Sequence, residues 1–238
     1  DFMELQTDVN AAPVHGIVPL PFTPYYQDEH CTIYNADCRQ VLPFLPRFDL
    51  LLTDPPYGIG EDKGKGQHGY DGFGNKKKRN AKKYAGGWDK DVPDYELILM
   101  SIRCCDLHIV WGGNYLSDML PQQPKWLVWD KEQTMPTYSD AELAWTTLSG
   151  VAVKMKRYNG SGLMAKEKDR VHPTQKPLAL MRWCLTLAAD AATVLDPFVG
   201  SGTTLVAAKL EGRKAVGIER DERYCEAAAK RLSQGTLF

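Results

Sequence analysis

Residues 49–57 end in a group of side chains that could hold an amino group for chemistry. The sequence Asp-Leu-Leu-Leu-Thr-Asp-Pro-Pro-Tyr is an apolar strand pattern that runs into Asp54, Pro55, Pro56 and Tyr57. Consecutive prolines fix φ near about −65° and remove two N–H donors, which leaves carbonyl oxygens as the local backbone polar groups. The Asp54 carboxylate and the Pro55 carbonyl could each accept one N–H of an amino group, while Tyr57 offers a flat face for stacking.

These acceptors point to alkylation of the amino nitrogen. Two accepted hydrogen bonds would draw the nitrogen lone pair out of conjugation with an aromatic ring and direct it at a methyl donor. Direct displacement at a sulfonium methyl depends on positioning and charge stabilisation, and it requires no metal. A strand-end aspartate before two prolines also occurs by chance, so this motif needs a second one beside it.

The second motif, in residues 193–204, has the pattern of a strand, a glycine-bracketed turn and a helix. Gly200 and Gly202 allow a sharp bend and close approach of the backbone to a ligand, and the free N–H groups of the following helix favour a carboxylate or phosphate. Residues 214–219 then form a second strand pattern that ends in Glu219, placed to accept hydrogen bonds from ribose hydroxyls. The combination predicts a nucleoside-bearing cofactor, and the missing third glycine of GxGxxG argues against an NAD site.

The elements that would position these motifs alternate along the chain. Seven strands are predicted, at residues 32–34, 48–53, 108–111, 126–129, 141–147, 193–195 and 214–218. Helices are predicted at residues 95–104, 178–189, 203–210 and 221–232. This alternation is typical of an α/β fold with a mostly parallel sheet that helices cover on both faces.

Length and composition favour one globular domain. The chain has 238 residues, of which 43% are hydrophobic and 25% charged, enough for one α/β core. We expect a proline-rich extended arm at 1–30 and a single domain at 31–238. No apolar run is long enough for a membrane span and no secretory signal is visible, so a cytoplasmic location is expected. None of the six cysteines lies in a CxxC pair, which predicts reduced thiols and no zinc site.

Two basic segments interrupt an otherwise acidic chain. Residues 61–90 and residues 150–177 each carry a net charge of +5, although the whole chain has −1. Such segments suit a polyanion, and the alternative is a pair of solvated loops. Residues 58–90 are predicted to be a long, mobile basic loop. The candidate nucleic-acid contacts are Lys76, Lys77, Lys78, Arg79, Lys82, Lys83, Lys154, Lys156 and Arg157.

Together the motifs resemble those of the amino-group DNA methyltransferases. Residues 54–57 (Asp-Pro-Pro-Tyr) are similar to the catalytic motif of that family, and residues 196–203 are similar to its cofactor motif. The catalytic motif comes first, as in the circularly permuted beta class. His-Pro-Thr-Gln-Lys-Pro at 172–177 matches the motif that precedes the glycine-rich turn in this class. Further similar motifs are Asn-Ala-Asp-Cys at 35–38, Trp-Gly-Gly-Asn-Tyr at 111–115 and Trp-Leu-Val-Trp-Asp-Lys at 126–131.

The resemblance implies a Rossmann-like seven-stranded sheet, S-adenosyl-L-methionine as cofactor and DNA as substrate. It implies a catalytic site of Asp54, Pro55, Pro56 and Tyr57, and Lys176 near the methionine end of the cofactor. The implied cofactor-binding residues are Asp37, Cys38, Asp54, Lys176, Asp196, Phe198, Gly200, Ser201, Gly202, Thr203 and Glu219. The target base would have to flip out of a duplex to reach these residues.

Several alternatives stay open. Aspartate in the first motif position favours adenine N6, because cytosine-N4 enzymes of this family more often have serine there. RNA or single-stranded DNA would suit the same chemistry. A protein-glutamine or small-molecule methyltransferase would be expected to have asparagine in place of Asp54, and a non-catalytic binding protein would be expected to have lost Asp54 or Tyr57.

The sequence says less about the DNA sequence that is recognised, the oligomeric state and the protein partners than about the reaction. Only residues 149–171 are available as a target-recognition segment, which predicts short or relaxed recognition, shared with the basic loop. The protein could act as a monomer or a homodimer, alone or beside a restriction enzyme. The final residues, Gln234 to Phe238, resemble the QxxLF peptides that dock on the replication sliding clamp, and the alternative is an apolar end folded back on the domain.

Overall fold

The structure is a computed structural model. It describes residues 21–58, 93–132, 139–150, 152–159 and 175–234, together with the backbone of residues 68–70 and 76–78.

Eleven strands lie in the described residues, and the seven predicted strands are among them with bounds that differ by at most three residues. The strands are β1 (Tyr26–Gln27), β2 (Cys31–Asn35), β3 (Phe48–Thr53), β4 (His68–Tyr70), β5 (Lys76–Lys78), β6 (Cys105–Trp111), β7 (Trp126–Asp130), β8 (Ala141–Thr146), β9 (Val153–Arg157), β10 (Thr193–Asp196) and β11 (Lys214–Glu219).

Five α-helices connect these strands in the part of the chain that is described. They are α1 (Cys38–Val41), α2 (Tyr95–Arg103), α3 (Leu178–Leu187), α4 (Thr203–Leu210) and α5 (Glu222–Ser233), with a 3-10 turn at Leu42–Phe44. The four predicted helices are confirmed. Asp94 begins α2 by accepting a hydrogen bond from the Leu97 amide, as expected of an aspartate at a helix N-cap.

Nine of the strands form one sheet in the order β1-β2-β11-β10-β3-β6-β8-β7-β9. Neighbours from β2 to β6 pair in parallel, whereas β8 runs antiparallel to both β6 and β7. The mostly parallel α/β sheet is therefore confirmed. It has nine strands where seven were expected, because the short β1 from the predicted arm and β9 add one strand at each edge.

Both faces of the sheet are buried, as a parallel sheet requires. Consecutive side chains in the middle of β3 alternate between two cores: Leu50 and Leu52 pack with α3, α4 and α5, while Leu51 packs with α1 and α2. Trp111 and Trp129 are core aromatics, 0% and 2% exposed.

The two shortest strands, β4 and β5, lie within the segment predicted to be a long loop. They pair with each other in antiparallel register, His68 opposite Lys78 and Tyr70 opposite Lys76, in a separate two-stranded sheet. The segment 58–90 therefore contains a short hairpin. The rest of that segment, apart from Gly58, lies outside the described residues.

The predicted cofactor and catalytic motifs both lie at the carboxyl edge of the sheet. Strands β2, β11, β10 and β3 are consecutive parallel neighbours, so their carboxyl ends lie side by side. The cofactor motif follows β10 and the catalytic motif follows β3, although residues 58–195 of the sequence separate them. The chain order of the motifs therefore does not affect their contact in space, which is the physical reason that a permuted order is possible.

Candidate active site

Asp54 and Tyr57 lie immediately after β3, and their side chains bond to each other. The Tyr57 hydroxyl donates to Asp54 Oδ1. Lys176 Nζ donates to the other carboxylate oxygen, Oδ2, at 2.5 Å, and it lies 3.3 Å from the Tyr57 hydroxyl. Both oxygens of Asp54 are thus engaged, one by a neutral donor and one by a cation. The rigid turn of Pro55 and Pro56 holds Asp54 and Tyr57 close enough for this contact.

Burial decides the protonation of these groups. Burial raises the pKa of Asp54, and the Lys176 ammonium opposes that rise. Burial also raises the pKa of Tyr57 well above its usual value, with the nearby Asp54 charge acting in the same direction. Tyr57 therefore stays a protonated phenol and a hydrogen-bond donor, which an anionic neighbour such as Asp54 requires.

Lys176 connects Asp54 to a carboxylate that the sequence did not single out. Its ammonium lies 3.0 Å from Glu142 Oε2, and Lys131 Nζ lies 2.6 Å from Glu142 Oε1. Glu142 stands near the start of β8, whereas Lys131 follows β7, so an antiparallel pair of strands brings them to the same edge. The available signal was an acidic residue inside an otherwise apolar strand pattern, because a buried charge needs a partner.

The Tyr57 ring occupies a slot formed by a glycine and a second tyrosine. Tyr115 stacks on it with ring centroids 4.9 Å apart and an angle of 22° between the planes. A Cβ at Gly112 would lie 1.9 Å from Tyr57 Cε1, so only glycine fits there. The motif at 111–115 was recognised in the sequence, but its role as the wall of this slot was not. Tyr115 remains 42% exposed and covers the ring from the solvent side.

Asp196 ends β10 beneath the glycine-rich turn and is 2% exposed. Its Oδ1 accepts hydrogen bonds from Thr53 Oγ1 at 2.7 Å and from the Phe198 amide at 3.1 Å. Burial raises the pKa of Asp196 to about 6 despite these donors. The carboxyl group thus shapes the turn from below and ties it to the end of β3, one residue before Asp54.

The turn itself depends on two glycines in left-handed conformations. Gly200 has φ +50° and Gly202 has φ +80°, where residues with a side chain are strained. The Gly200 amide donates to Glu219 Oε2 at 2.9 Å, and the Asp221 amide donates to Glu219 Oε1 at 2.8 Å. Glu219 is therefore held at the end of β11 beside the turn, and burial raises its pKa.

The motif at 172–177 links this turn to the catalytic group. Ser201 Oγ donates to Gln175 Oε1 at 3.2 Å, and the next residue, Lys176, bonds to Asp54. Arg231 of α5 donates to the Ser201 carbonyl at 2.6 Å and to Thr203 Oγ1 at 3.1 Å. Consecutive residues thus contact the two halves of the site. The sequence did not predict the contribution of Arg231, because α5 carries no motif.

Asp37 and Cys38 lie at the end of β2, on the far side of Glu219. Asp37 begins α1 by accepting a hydrogen bond from the Arg39 amide at 2.9 Å. The Cys38 side chain is 7% exposed and belongs to the core beside α1 and α2. Its placement makes the thiol a core group, so any contribution of Cys38 to a ligand site would come from its backbone.

The predicted nucleic-acid contacts are only partly within the described residues. Lys154, Lys156 and Arg157 lie on β9, at the sheet edge four strands from β3, and Arg157 Nε pairs with Asp130 Oδ2 at 3.1 Å. Residues 76–78 form the strand β5, of which only the backbone is described. Arg79, Lys82, Lys83 and the last four residues of the tail lie outside the described residues. All of these assignments stay predictions.

Within the described ranges, no group of three or more His, Cys, Asp or Glu side chains could hold a metal ion. None of the helices in those ranges is long and apolar enough to cross a membrane.

Comparison with known proteins identifies sequence relatives over most of the chain. The sequence profile of a DNA methylase family, that of N6 and N4 methyltransferases, matches residues 74–230. The chain is 27% identical over 262 aligned residues to the Type II methyltransferase M2.LlaDCHI of Lactococcus lactis subsp. cremoris, with 90% of this chain and 94% of the relative covered. It is 24% identical to the Type II methyltransferase M.ScaI of Streptomyces caespitosus, with 88% and 83% covered.

Two solved structures have the same fold. The M1.HpyAVI–SAM complex is similar with a TM-score of 0.54 at 23% identity, with 85% of this chain and 98% of that chain covered. The PvuII DNA methyltransferase, described as cytosine-N4-specific, gives a TM-score of 0.61 at 15% identity, with 92% of each chain covered. The expected Rossmann-like methyltransferase fold is thereby confirmed.

The slot at Gly112 gives a stability prediction. Gly112→Ala should destabilise the protein by about 1–2 kcal/mol through its left-handed backbone and by a further amount of about 1–3 kcal/mol because the new Cβ displaces Tyr57. Gly150→Ala is the matched control, since Gly150 has φ +69° against +70° at Gly112 but no atom within 4 Å of an added Cβ. Urea unfolding of both variants measures the difference, and equal losses would show that Tyr57 does not fill the slot.

Proposed function

Because the chain belongs to the DNA methylase family of N6 and N4 methyltransferases, we propose that it transfers a methyl group from S-adenosyl-L-methionine to adenine N6 in DNA. The observation that carries the proposal is the position of the Asp54 carboxylate. It lies on the rigid turn after β3, beside the Tyr57 ring and next to the glycine-rich turn after β10. An acceptor and an aromatic face thus lie together beside Asp196, where the cofactor motif begins.

The residues of the glycine-rich turn suit a nucleoside-bearing ligand. An added Cβ at Gly200 would meet no atom within 4 Å, so the backbone leaves space on that side of the turn. Glu219 presents a fixed carboxylate beside this space, and the first amides of α4 face the turn. We therefore assign cofactor binding to Gly200, Gly202 and Glu219, with Asp196 supporting the turn. S-adenosyl-L-methionine, when bound, supplies a methyl group on a positively charged sulfur.

Asp54 and Pro55 would hold the target amino group. The Asp54 carboxylate accepts one N–H in place of the Tyr57 hydroxyl, and the Pro55 carbonyl accepts the other. This pair directs the nitrogen lone pair away from the plane of the base ring. As the nitrogen becomes positively charged on alkylation, the adjacent Asp54 carboxylate stabilises it and stands ready to take its proton. Lys176 opposes the rise that burial causes in the pKa of Asp54, and by bonding to Oδ2 it leaves Oδ1 for the amino group.

Adenine is proposed over cytosine because an aspartate precedes the two prolines, whereas the cytosine-N4 enzymes that the motif resembles more often have serine. The PvuII enzyme shares the fold at 15% identity, and likeness at that level carries no information on the base. Duplex DNA is proposed over RNA because the family consists of DNA methylases. An aromatic ring beside a deep carboxylate also suits a base that has left its stack.

Nucleoside mass spectrometry tests the reaction directly. Unmethylated DNA incubated with the protein and S-adenosyl-L-methionine should yield N6-methyladenine. Asp54→Ala should lower the rate by about a thousandfold, the loss typical of removing one preorganised charge-stabilising group. Asp190→Ala is the matched control, because Asp190 is exposed at the opposite, amino end of β10, and it should leave the rate unchanged.

The products distinguish the alternatives. N4-methylcytosine in place of N6-methyladenine would replace adenine by cytosine as the target. Methylation of RNA or single-stranded DNA alone would reject duplex DNA as the substrate. No methylated base on any of these nucleic acids, with cofactor binding demonstrated, would reject the proposed function.

The stack on Tyr57 predicts how the base enters. Tyr115 occupies one face of the Tyr57 ring at a separation typical of aromatic stacking, so we propose that the target base replaces Tyr115 there. Tyr115→Ala would remove a competitor that contributes about 0.5–1.5 kcal/mol. The affinity of the Tyr115→Ala variant for a duplex whose target base lies opposite an abasic site should therefore rise by about threefold. Tyr115→Phe, which keeps the ring, should bind as the wild type does. Weaker or equal binding by Tyr115→Ala would contradict this exchange.

The C-terminal residues 234–238 carry a separate prediction about a partner. Their resemblance to clamp-docking peptides predicts binding to the replication sliding clamp through Leu237 and Phe238. Replacing both residues by alanine should abolish binding in a pull-down with the clamp, while Thr236→Ala, at an unspecified position of the QxxLF motif, should retain it. The motif would be rejected as the docking element if the double alanine variant still bound the clamp, or if Thr236→Ala also lost binding.

A further inference from the structure

Lys176 is a buried cation shared between two carboxylates from different parts of the sheet. Its side chain is 4% exposed, and its ammonium lies 2.5 Å from Asp54 Oδ2 and 3.0 Å from Glu142 Oε2. Asp54 follows β3, whereas Glu142 lies on β8, and β6 separates the two strands. The ammonium therefore bridges the catalytic turn and a strand that carries none of the recognised cofactor or catalytic motifs.

The bridge continues to a second cation, so that charges of opposite sign alternate. Lys131 Nζ contacts Glu142 Oε1 at 2.6 Å, and it lies 5.3 Å from the centroid of the Trp129 ring. Burial would raise the pKa of Glu142, but Lys176 and Lys131 lower it to about 2. Two cations and two anions alternate from Lys131 to Asp54, and the set is neutral as a whole.

We propose that Glu142 is a positioning residue for the reaction, acting through Lys176. Its carboxylate holds the ammonium in the charged form and at one oxygen of Asp54, which leaves the other oxygen for the target amino group. This inference rests on the proposed function of Asp54.

The geometry explains why Asp54 alone would not suffice. An ammonium removed from water needs more than one strong partner, because the attraction of a single carboxylate rarely outweighs the loss of solvation. Asp54 must also exchange a hydrogen bond when the base arrives. With Glu142 in place, Lys176 keeps a second ionic partner during that exchange. Without it, the ammonium would be free to move onto both Asp54 oxygens or closer to the Tyr57 hydroxyl, to which it already donates at 3.3 Å.

The consequence is a pH dependence that Glu142 controls. Among the described residues, the ionisable groups that face Lys176 are Asp54 and Tyr57 from the turn after β3 and Glu142 from β8. Burial alone would lower the pKa of Lys176, and the two carboxylates raise it overall. Removing one carboxylate leaves the effect of burial in place, so Lys176 should lose its proton at lower pH. Asp54 would then lose the cation that occupies Oδ2 and leaves Oδ1 for the target amino group.

The test is the pH profile of single-turnover methylation with Glu142→Gln. At neutral pH the rate should fall by about tenfold while the affinity for S-adenosyl-L-methionine is unchanged. The alkaline limb of the profile should move to lower pH by about one unit. Glu142→Asp, which keeps the charge, should return the limb towards the wild-type position. Lys131→Met is the matched control, because it leaves Lys176 between both carboxylates and should not move the limb downward.

A readout without activity accompanies the profile. In protein labelled with ¹⁵N-lysine, the Nζ resonance of Lys176, identified by its loss in Lys176→Arg, should titrate at lower pH in Glu142→Gln than in the wild type. This outcome supports the role of Glu142 even if the wild-type protein methylates no base, a result that would reject the proposed function alone. An active wild type with an unmoved alkaline limb and an unmoved Lys176 titration in Glu142→Gln would overturn the inference. So would an equal downward shift in Lys131→Met.

Discussion

Lys176 and Asp54 meet at 2.5 Å although almost the whole lysine side chain is removed from water. Burying an ion pair costs several kcal/mol per ion before the attraction is counted, so the surrounding structure has to hold both groups in place. It does so with elements from across the sheet: the two prolines after β3, the residue Gln175 bonded to the glycine-rich turn, and Glu142 on β8. Residues from several strands at the carboxyl edge of the sheet thus hold Lys176 and Asp54 in contact.

The pair also joins two functions that the chain keeps far apart in sequence. Gln175 bonds to Ser201 in the turn that we assign to the cofactor, and Lys176 bonds to the carboxylate that we assign to the base. A movement of the glycine-rich turn would therefore be transmitted to Asp54 through two consecutive residues. Thr53 provides a second connection, because its hydroxyl bonds to Asp196 at 2.7 Å. Such short connections suit a reaction in which the donor and acceptor atoms must be aligned before transfer.

The aromatic side of the site follows from packing at the same edge. Strands β3 and β6 are parallel neighbours, so the turn after β3 meets the turn after β6. The absence of a side chain at Gly112 gives the Tyr57 ring its place, and Tyr115 from the same turn covers it. A tyrosine whose ring is stacked and whose hydroxyl is hydrogen-bonded is held in one orientation, which is what a stacking platform for a base requires.

Within the described residues, the sequence by itself determined seven of the eleven strands, four of the five α-helices and the two motifs. Apolar periodicity reports which segments must be buried, and prolines and glycines restrict φ locally, so Asp54 to Tyr57 and Gly200 to Gly202 could be assigned without a structure. A mostly parallel sheet also followed from the alternation of strands and helices, whereas the pairing of β10 with β3, which brings those motifs together, was not predicted.

Only the tertiary structure decided which charges meet. Arg231 and the slot at Gly112 carry no local signal of their roles. An acidic residue in an apolar strand pattern marks Glu142 but does not identify its partner, because a side chain's partner depends on which strand becomes its neighbour in the sheet. The antiparallel insertion of β8 between β6 and β7 placed Glu142 beside Lys176, and no spacing along the chain encodes that contact. Neighbouring residues determine local conformation. Long-range electrostatic pairing depends on the order of the strands, and that order is set by the packing of the whole chain.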